Sequence, residues 1–362
     1  MSSVDKSALL KDLADNDYKA RSIHGQCVRV AVNGVDSGIA MQALARGWDT
    51  KVDGPRPDVW SPASHLWLQI AHQRATGKDS LNLLPQKAVA SIVTSPLTIT
   101  MPKPTARKLG WPRKKISWKN LSDLAQKPGF KLGKTNPEYS TSGLDATIAA
   151  FYAQTGTTGE MAPENLTDPA YQQKVRAIEN AAVHYGDTSL TFLSNLRRND
   201  DAGQATSYIS AVTVEENSVV AYNEDYPCGS RSDSPGCAKR TTPPSTKLAA
   251  FYPTNDSNSG TIYSDHPYIP LNGLTDAQEA VAADFQNFLS TPTAQARFAD
   301  LGFRTPTHGL TPNITAAHGA LPDVSLPGTL DAPPAHVLDQ LLTVWRQLRK
   351  PANVLLLMDT SG

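Results

Sequence analysis

Three turns in this chain of 362 residues put hydroxyl side chains where a strand hands over to a helix. They are Ser37-Gly38, Ser61-Pro-Ala-Ser64 and Ser140-Thr141-Ser142-Gly143. Each precedes apolar residues at helical spacing. The first N–H groups of a helix have no partner within it and carry a partial positive charge. Hydroxyls beside them add donors, so several such turns facing one pocket would bind an oxyanion or a carboxylate without any lysine. Taken singly, each serine is also explained as a plain helix cap. Their recurrence, at what must be the carboxyl ends of strands in an open α/β sheet, points to a site.

Acidic candidates are fewer. Tyr185-Gly186-Asp187-Thr188-Ser189 sets a polar group in a cleft or simply caps the helix that starts at Leu190. Glu215-Glu216 ends an apolar strand, as a solvated pair or as a cleft carboxylate. Catalytic patterns are missing: Thr141-Ser142-Gly143 is not a Gly-x-Ser-x-Gly elbow, and no His-Glu-x-x-His, Walker loop or dinucleotide glycine fingerprint occurs. The eight histidines are scattered. The reading is a binding protein rather than an enzyme, with no cofactor and no metal.

Composition agrees with a large packed core. Hydrophobic residues make up 40% and charged residues 19%, and Lys plus Arg equals Asp plus Glu at 34 each. A net charge of zero gives no basic surplus for nucleic acid or an anionic membrane, so ligand charge must be handled locally. No apolar run approaches a membrane span, and the start at Met1-Ser-Ser-Val has no export-signal core, which fits a cytosolic protein or a start placed after a removed export segment. Cys228 and Cys237 flank a polar Gly-Ser-Arg-Ser-Asp-Ser-Pro-Gly loop that favours a disulfide over two free thiols. Cys27, in the alternating run Gln26 to Val32, is expected as a buried free thiol.

The elements that must position these residues alternate. Ser3 is a plausible cap for a helix from Val4 to Leu13, Val28 to Val32 is expected as a strand, and Ile39 to Arg46 as a helix. A strand at Pro57 to Trp60 then leads into a helix through Leu66 and Ile70. Strand, small-residue turn and helix, repeated, argue for a parallel doubly wound sheet. Ala88 to Met101 suits an extended strand crossing between two lobes. Helices are expected at Leu144 to Tyr152, Tyr171 to Ala182 and Asp276 to Phe288, the last capped by Thr275. Strands are expected at Lys131 to Gly133, Tyr208 to Val214, Ser218 to Tyr222 and Lys247 to Tyr252. Thr305 to Pro334, rich in Pro, Thr, Gly and Ala, is expected as a linker or loose wrap, followed by a helix at His336 to Leu348 and a buried strand at Ala352 to Met358.

Ala45-Arg-Gly-Trp48, Gly54-Pro-Arg-Pro-Asp-Val-Trp-Ser-Pro-Ala-Ser64, Val183-His-Tyr-Gly-Asp-Thr-Ser-Leu-Thr-Phe192, Leu248 to Pro253 and Gly302-Phe-Arg304 together resemble the bacterial extracellular solute-binding family related to sulfate- and molybdate-binding proteins. More narrowly they resemble actinobacterial proteins that join such a module to a von Willebrand factor A domain. Val354 to Gly362 is similar to that domain's opening, although Asp359 and Ser361 leave its metal motif incomplete. The resemblance implies a two-lobed α/β fold of the type II periplasmic-binding-protein kind, with hinge strands. Lobe 1 would comprise 1–93 and 262–304, lobe 2 would span 94–261, a Pro-rich linker and helix 305–351, and the A-domain strand 352–362. Carried over by position, the ligand site would draw on Ser2, Ser3, Ser37, Ser61, Ser64, Thr141, Ser142 and Asp187, with Glu215 near the hinge. The implied function is an extracellular receptor, anchored to the cell membrane, that captures a small polar or anionic ligand between its lobes. The alternative is a repurposed scaffold for protein adhesion or signalling through the A domain, with no bound solute. The extra acidic residues depart from the oxyanion binders and leave a cation, a polar molecule or a peptide open.

Overall fold

In the computed structural model the described residues are 1–18, 22–23, 25–87, 89–156, 160–253, 260–321, 329–351 and 358. The expected A-domain strand, with Asp359 and Ser361, therefore lies almost wholly outside the described residues.

Eleven strands are present among them: β1 (Ser22–Ile23), β2 (Gln26–Cys27), β3 (Val59–Trp60), β4 (Ala90–Ser91), β5 (Ser95–Pro102), β6 (Leu132–Thr135), β7 (Ala182–Gly186), β8 (Ala211–Glu215), β9 (Leu248–Phe251), β10 (Tyr263–Ser264) and β11 (Pro267–Pro270). One lobe is built on the sheet β3-β11-β4. The other is built on the sheet β10-β5-β8-β6-β7, in which β9 also pairs with β5. The alternating sequence pattern suggested parallel pairing throughout. Here β6 pairs in parallel with β7 and β8, whereas β5 runs antiparallel to β8, β9 and β10. β5 is buried along its whole length, so its two threonines must bond inside. Thr98 Oγ1 donates to the Val214 carbonyl at 2.8 Å and lies 2.8 Å from Thr100 Oγ1.

Eight helices matter for the site: α1 (Ser7–Asp12), α2 (Ser37–Ala45), α3 (Leu66–Arg74), α4 (Thr141–Thr155), α5 (Ser189–Asp201), α6 (Glu216–Asn223), α7 (Asp276–Leu289) and α8 (Ala335–Leu348). Ser140, Thr188 and Thr275 cap α4, α5 and α7, each accepting an amide three residues on. One apolar core joins α2, α3, α4 and α8 to the larger sheet, and a second gathers Leu9, Leu13, Tyr18, Phe285, Phe288 and Phe303 around α1 and α7. Helix α8 clasps the two halves: Asp339 accepts from Arg74 at 2.6 Å, and Arg346 donates to Glu138 at 2.6 Å.

Several sequence expectations are corrected. Ser218 to Tyr222 is helical, within α6, although Val219 and Val220 favour strands locally. Burial on all sides of that segment overrides the preference, and the Asn217 amide is held by Ser95 Oγ at 3.1 Å. Ser3 does not cap α1, which starts at Ser7 with no side-chain cap; its hydroxyl is taken by Lys6. Val28 to Val32 joins no sheet, and Cys27 is exposed rather than buried. The Cys228–Cys237 disulfide is formed and buried. The stretch after Arg304 is a wrap more than a linker: Ile314, Ala320, Leu321 and Leu330 are buried, and the Ala250 amide donates to the Gly319 carbonyl at 2.8 Å. No helix among the described residues is long and apolar enough to cross a membrane.

Candidate functional site

The first turns of α2, α4 and α5 converge on a narrow cleft with the loop before α1, and Glu215 closes its floor. Ser3, Asp5, Asp36, Ser37, Tyr139, Thr141, Thr188 and Glu215 line a void of about 30 Å³. That is room for a water molecule, so the cleft is nearly shut. Two contacts close it. The Gly38 amide donates to the Tyr139 carbonyl at 3.3 Å, and Trp67 Nε1 donates to Thr141 Oγ1 at 2.8 Å.

The hydroxyls divide into those at the cleft and those behind it. Ser3, Ser37 and Thr141 line it. Ser37 Oγ also accepts from the Ala63 amide at 3.1 Å, which ties the second turn to the third. Ser142 lies one layer deeper and donates to Glu215 Oε2. Three of the expected residues do not face the cleft. Ser2 sits within a short ladder, bridged to Gly34 on one side and Ser61 on the other, and its hydroxyl donates to the Ser3 carbonyl at 3.1 Å. Ser61 Oγ donates to the Pro267 carbonyl at 2.8 Å, and Ser64 Oγ accepts from the Leu66 amide at 3.3 Å, so both hydroxyls serve the fold. Asp187 is exposed at the rim, near enough to act on Asp36.

Electrostatics are set by residues that sequence reasoning passed over. Lys6 is fully buried behind the serine turns. Its ammonium donates to the Ser61 and Pro62 carbonyls at 2.9 and 3.0 Å and to Ser3 Oγ. All three of its protons are therefore matched. Burial pulls its pKa down to about 8, against the attraction of Asp5 and Asp265. The expectation of an anion site without a lysine thus meets a lysine one layer behind the hydroxyls.

Opposing it are carboxyls held partly neutral. Burial, with the charges of Asp187 and Asp5 added, raises Asp36 to about 6. Burial raises Glu215 to about 7, against the hydrogen bond from Ser142. Asp145, beneath it, is raised further by burial and by the neighbouring Glu215 and Asp265. Ser264 Oγ stands 3.4 Å from a carboxyl oxygen of each, and Asp145 Oδ1 has no hydrogen-bond partner. The charge of Glu215 thus disfavours ionisation of Asp145. Glu215-Glu216 is not a solvated pair. Glu216 is buried on the far side, where it takes Arg304 Nε at 2.6 Å and Nη2 at 2.8 Å. Among the described residues no three His, Cys, Asp or Glu side chains converge so as to hold a metal ion.

Asp36 was within reach of sequence reasoning, because it stands immediately before the Ser37 turn. Lys6 was not, because a lysine in an amphipathic helix start ordinarily faces water.

Residues 1–304 match the sequence model of a family described as bacterial extracellular solute-binding protein. No curated protein matches the chain. Solved structures similar to it include the periplasmic binding protein AfuA from Actinobacillus pleuropneumoniae with fructose-6-phosphate, at 14% identity and a TM-score of 0.61 over 97% of this chain and 98% of that one. An iron- and citrate-bound protein from Trichodesmium is similar at 11% identity and a TM-score of 0.55, over 96% and 97%. The sulfate-binding protein SubI from Mycobacterium tuberculosis is similar at 16% identity and a TM-score of 0.52, over 96% and 97%. At these identities the likeness is one of fold, that of the two-lobed type II periplasmic binding proteins.

Proposed function

The chain belongs to the bacterial extracellular solute-binding protein family, and from that premise we propose that the cleft between α2, α4 and α5 captures a small polar solute bearing both an anionic group and hydrogen-bond donors. One observation carries the reading: helix N-termini and hydroxyls from both lobes, Ser3 and Ser37 with Thr141 and Thr188, face one void. The anionic group would sit against these helix starts, where the amides and the nearby Lys6 charge favour it. Donors on the same molecule would meet Asp36 and Glu215, which are raised into a range where either protonation state is accessible. The likeness to proteins seen with a sugar phosphate and with citrate supports a solute of this kind. With lobe boundaries taken at 93–94 and 261–262, the crossings would fall just before β5 and β10, which pair with each other, and a hinge is proposed there.

Hydroxyls and carboxyls make up most of the lining, beside Tyr139 and Leu190, and this polar convergence favours a solute site over an adhesion scaffold without one. A protein partner reached through an A domain rests only on the apolar run and Asp-x-Ser pattern at 354–362.

The test is a thermal-shift panel of sulfate, phosphate, citrate, sugar phosphates and amino acids. A ligand at about 100 times its Kd adds about 2.7 kcal/mol to stability. At least one probe should raise Tm, and Ser37→Ala with Thr141→Ala should remove the shift. A shift that survives the double variant, or silence across the panel, overturns the reading.

A further inference from the structure

The zero net charge of the chain conceals an uneven distribution. Seven of the seventeen residues from Lys103 to Lys119 are lysine or arginine, and none is aspartate or glutamate. Strand register places that segment. Leu97 of β5 pairs with Glu215, on the floor of the cleft, and Pro102 pairs with Leu248. Five steps of about 3.3 Å carry the chain about 17 Å from the cleft by Pro102. The helix Lys103–Lys108 and the loop after it therefore begin at the opposite end of the sheet. Lys247 joins them there, its carbonyl accepting from the Lys103 amide at 2.8 Å.

The fold holds these cations outward and leaves them unmatched. The Lys103 ammonium lies 5.1 Å from the centre of the Trp111 ring, and Trp111 Nε1 donates to the Ala250 carbonyl at 3.1 Å. The amides of Arg113 and Lys114 both donate to the Gly110 carbonyl at 3.0 Å, so the loop is a closed turn rather than a trailing arm. Arg107, Lys108, Arg113, Lys114 and Lys115 are exposed. Among the described residues the first ion pair along this stretch is Lys119 with Asp123, at 3.1 Å. Lys103 and Arg107 stand one helical turn apart, a spacing at which like charges repel. Burial, together with the charges of Arg107 and Lys247, lowers the pKa of Lys103. Repulsion of this kind is relieved by counter-charge brought from outside.

We propose that this pole docks on a bilayer bearing anionic lipid headgroups, with the cleft turned towards solution. The family is extracellular, which sets a membrane surface rather than nucleic acid within reach. An acidic protein fits less well, because protein interfaces are centred on apolar and aromatic side chains. None of the large hydrophobic residues that stand exposed lies between Lys103 and Lys119. Cations on exposed arms suit mobile phosphates, and each strengthens partition onto such a surface about 5-fold.

The test is co-sedimentation of the full chain with sucrose-loaded vesicles of equal parts phosphatidylcholine and phosphatidylglycerol, beside vesicles of phosphatidylcholine alone. Binding should appear with the mixed vesicles only, and vanish in about 0.5 M salt, where charges are screened within a few ångströms. Arg113→Gln, Lys114→Gln and Lys115→Gln together should weaken it about 100-fold, at about 5-fold each, with Tm unchanged. Lys51→Gln, Lys78→Gln and Lys87→Gln remove the same charge from exposed positions elsewhere and should leave binding almost as it was. Absence of binding to the mixed vesicles, equal binding to phosphatidylcholine alone, or equal losses in the two variants would overturn the proposal. So would retention on a poly-glutamate matrix with no binding to the mixed vesicles, since that assigns the pole to an acidic protein. No solute enters the experiment, so its outcome stands apart from the thermal-shift panel.

Discussion

Gly38 offers the sharpest test of cleft closure. It is the second residue of α2, in a backbone conformation open to any residue, and alanine is favoured over glycine in a helix by about 1 kcal/mol. Local physics therefore predicts that Gly38→Ala is neutral or stabilising. The opposite lobe says otherwise. A methyl group there would stand 1.9 Å from the Glu138 carbonyl oxygen and 2.8 Å from Tyr139 Cα, where ordinary contact begins at 3.4 Å. The shortfall of 3.4 less 1.9, or 1.5 Å, is against backbone, which cannot swing aside as a side chain would. Separating the lobes relieves it. Overpacking costs of about 1–3 kcal/mol then fall on the closed state alone. A solute that binds the closed form should lose about 5- to 150-fold in affinity. In small-angle scattering the radius of gyration should rise, while Tm without ligand stays level. Ile39→Ala, on an exposed neighbour, is the control. Unchanged scattering with unchanged affinity would show that the Gly38–Glu138 approach does not govern closure, and a large loss of Tm would show that α2 itself was damaged.

Three further outcomes follow from buried groups. Glu215 has its pKa raised from 4.5 to about 7, so the unfolded chain ionises first and stability falls as pH climbs between those values, by about 3 kcal/mol; Glu215→Gln should flatten the Tm profile from pH 5 to 8, and an unaltered slope would refute the assignment. Replacing Cys228 and Cys237 by serine opens a loop with a sequence separation of 9, which should cost about 2–3 kcal/mol in urea titrations; no loss would mean the loop is held without the bond. Arg304→Met should cost about 3–5 kcal/mol because Glu216 stays buried with its charge unmatched, and adding Glu216→Gln should restore most of it; a double variant no more stable than the single one would refute pairing as the cause.

The sequence carried the lobes and the hydroxyl turns because both rest on local pattern. Helix caps at Ser140, Thr188 and Thr275 and the periodicity of α4 and α7 are fixed by neighbours within a few residues. What stayed hidden depended on distant partners. Val219 and Val220 read as a strand until the packing of β5 and β9 around α6 is known. Ser37, Ser61 and Ser64 look alike in sequence, yet only Ser37 lines the cleft, because the direction of a hydroxyl is decided by which carbonyl or amide lies within hydrogen-bond reach of it. Alternation at Val28 to Val32 predicts a strand that the structure does not form, for a strand needs a neighbour to bond and no sheet takes this segment in.

The same dependence on distant partners explains why an anion site here can tolerate so much acid. Lys6 spends its three protons on two carbonyls and Ser3, so its charge is fixed in place rather than free to neutralise a carboxylate in the cleft. Asp5 takes the Ser3 hydroxyl in turn, and although burial opposes it, His266 and Lys6 hold it ionised. In Asp36, Glu215 and Asp145 burial prevails instead and raises the pKa. A cleft arranged this way presents donors where its carboxyls are protonated and acceptors where they are not. Raising the pH from 5 to 8 should therefore weaken an anionic solute more steeply than a neutral sugar, because ionised Asp36 and Glu215 repel the first and accept from the second. Calorimetric titration of citrate or a sugar phosphate against its unphosphorylated sugar reads this difference directly. If both affinities fell in parallel, the carboxyls would be bystanders and the selectivity would have to reside in the helix N-termini alone.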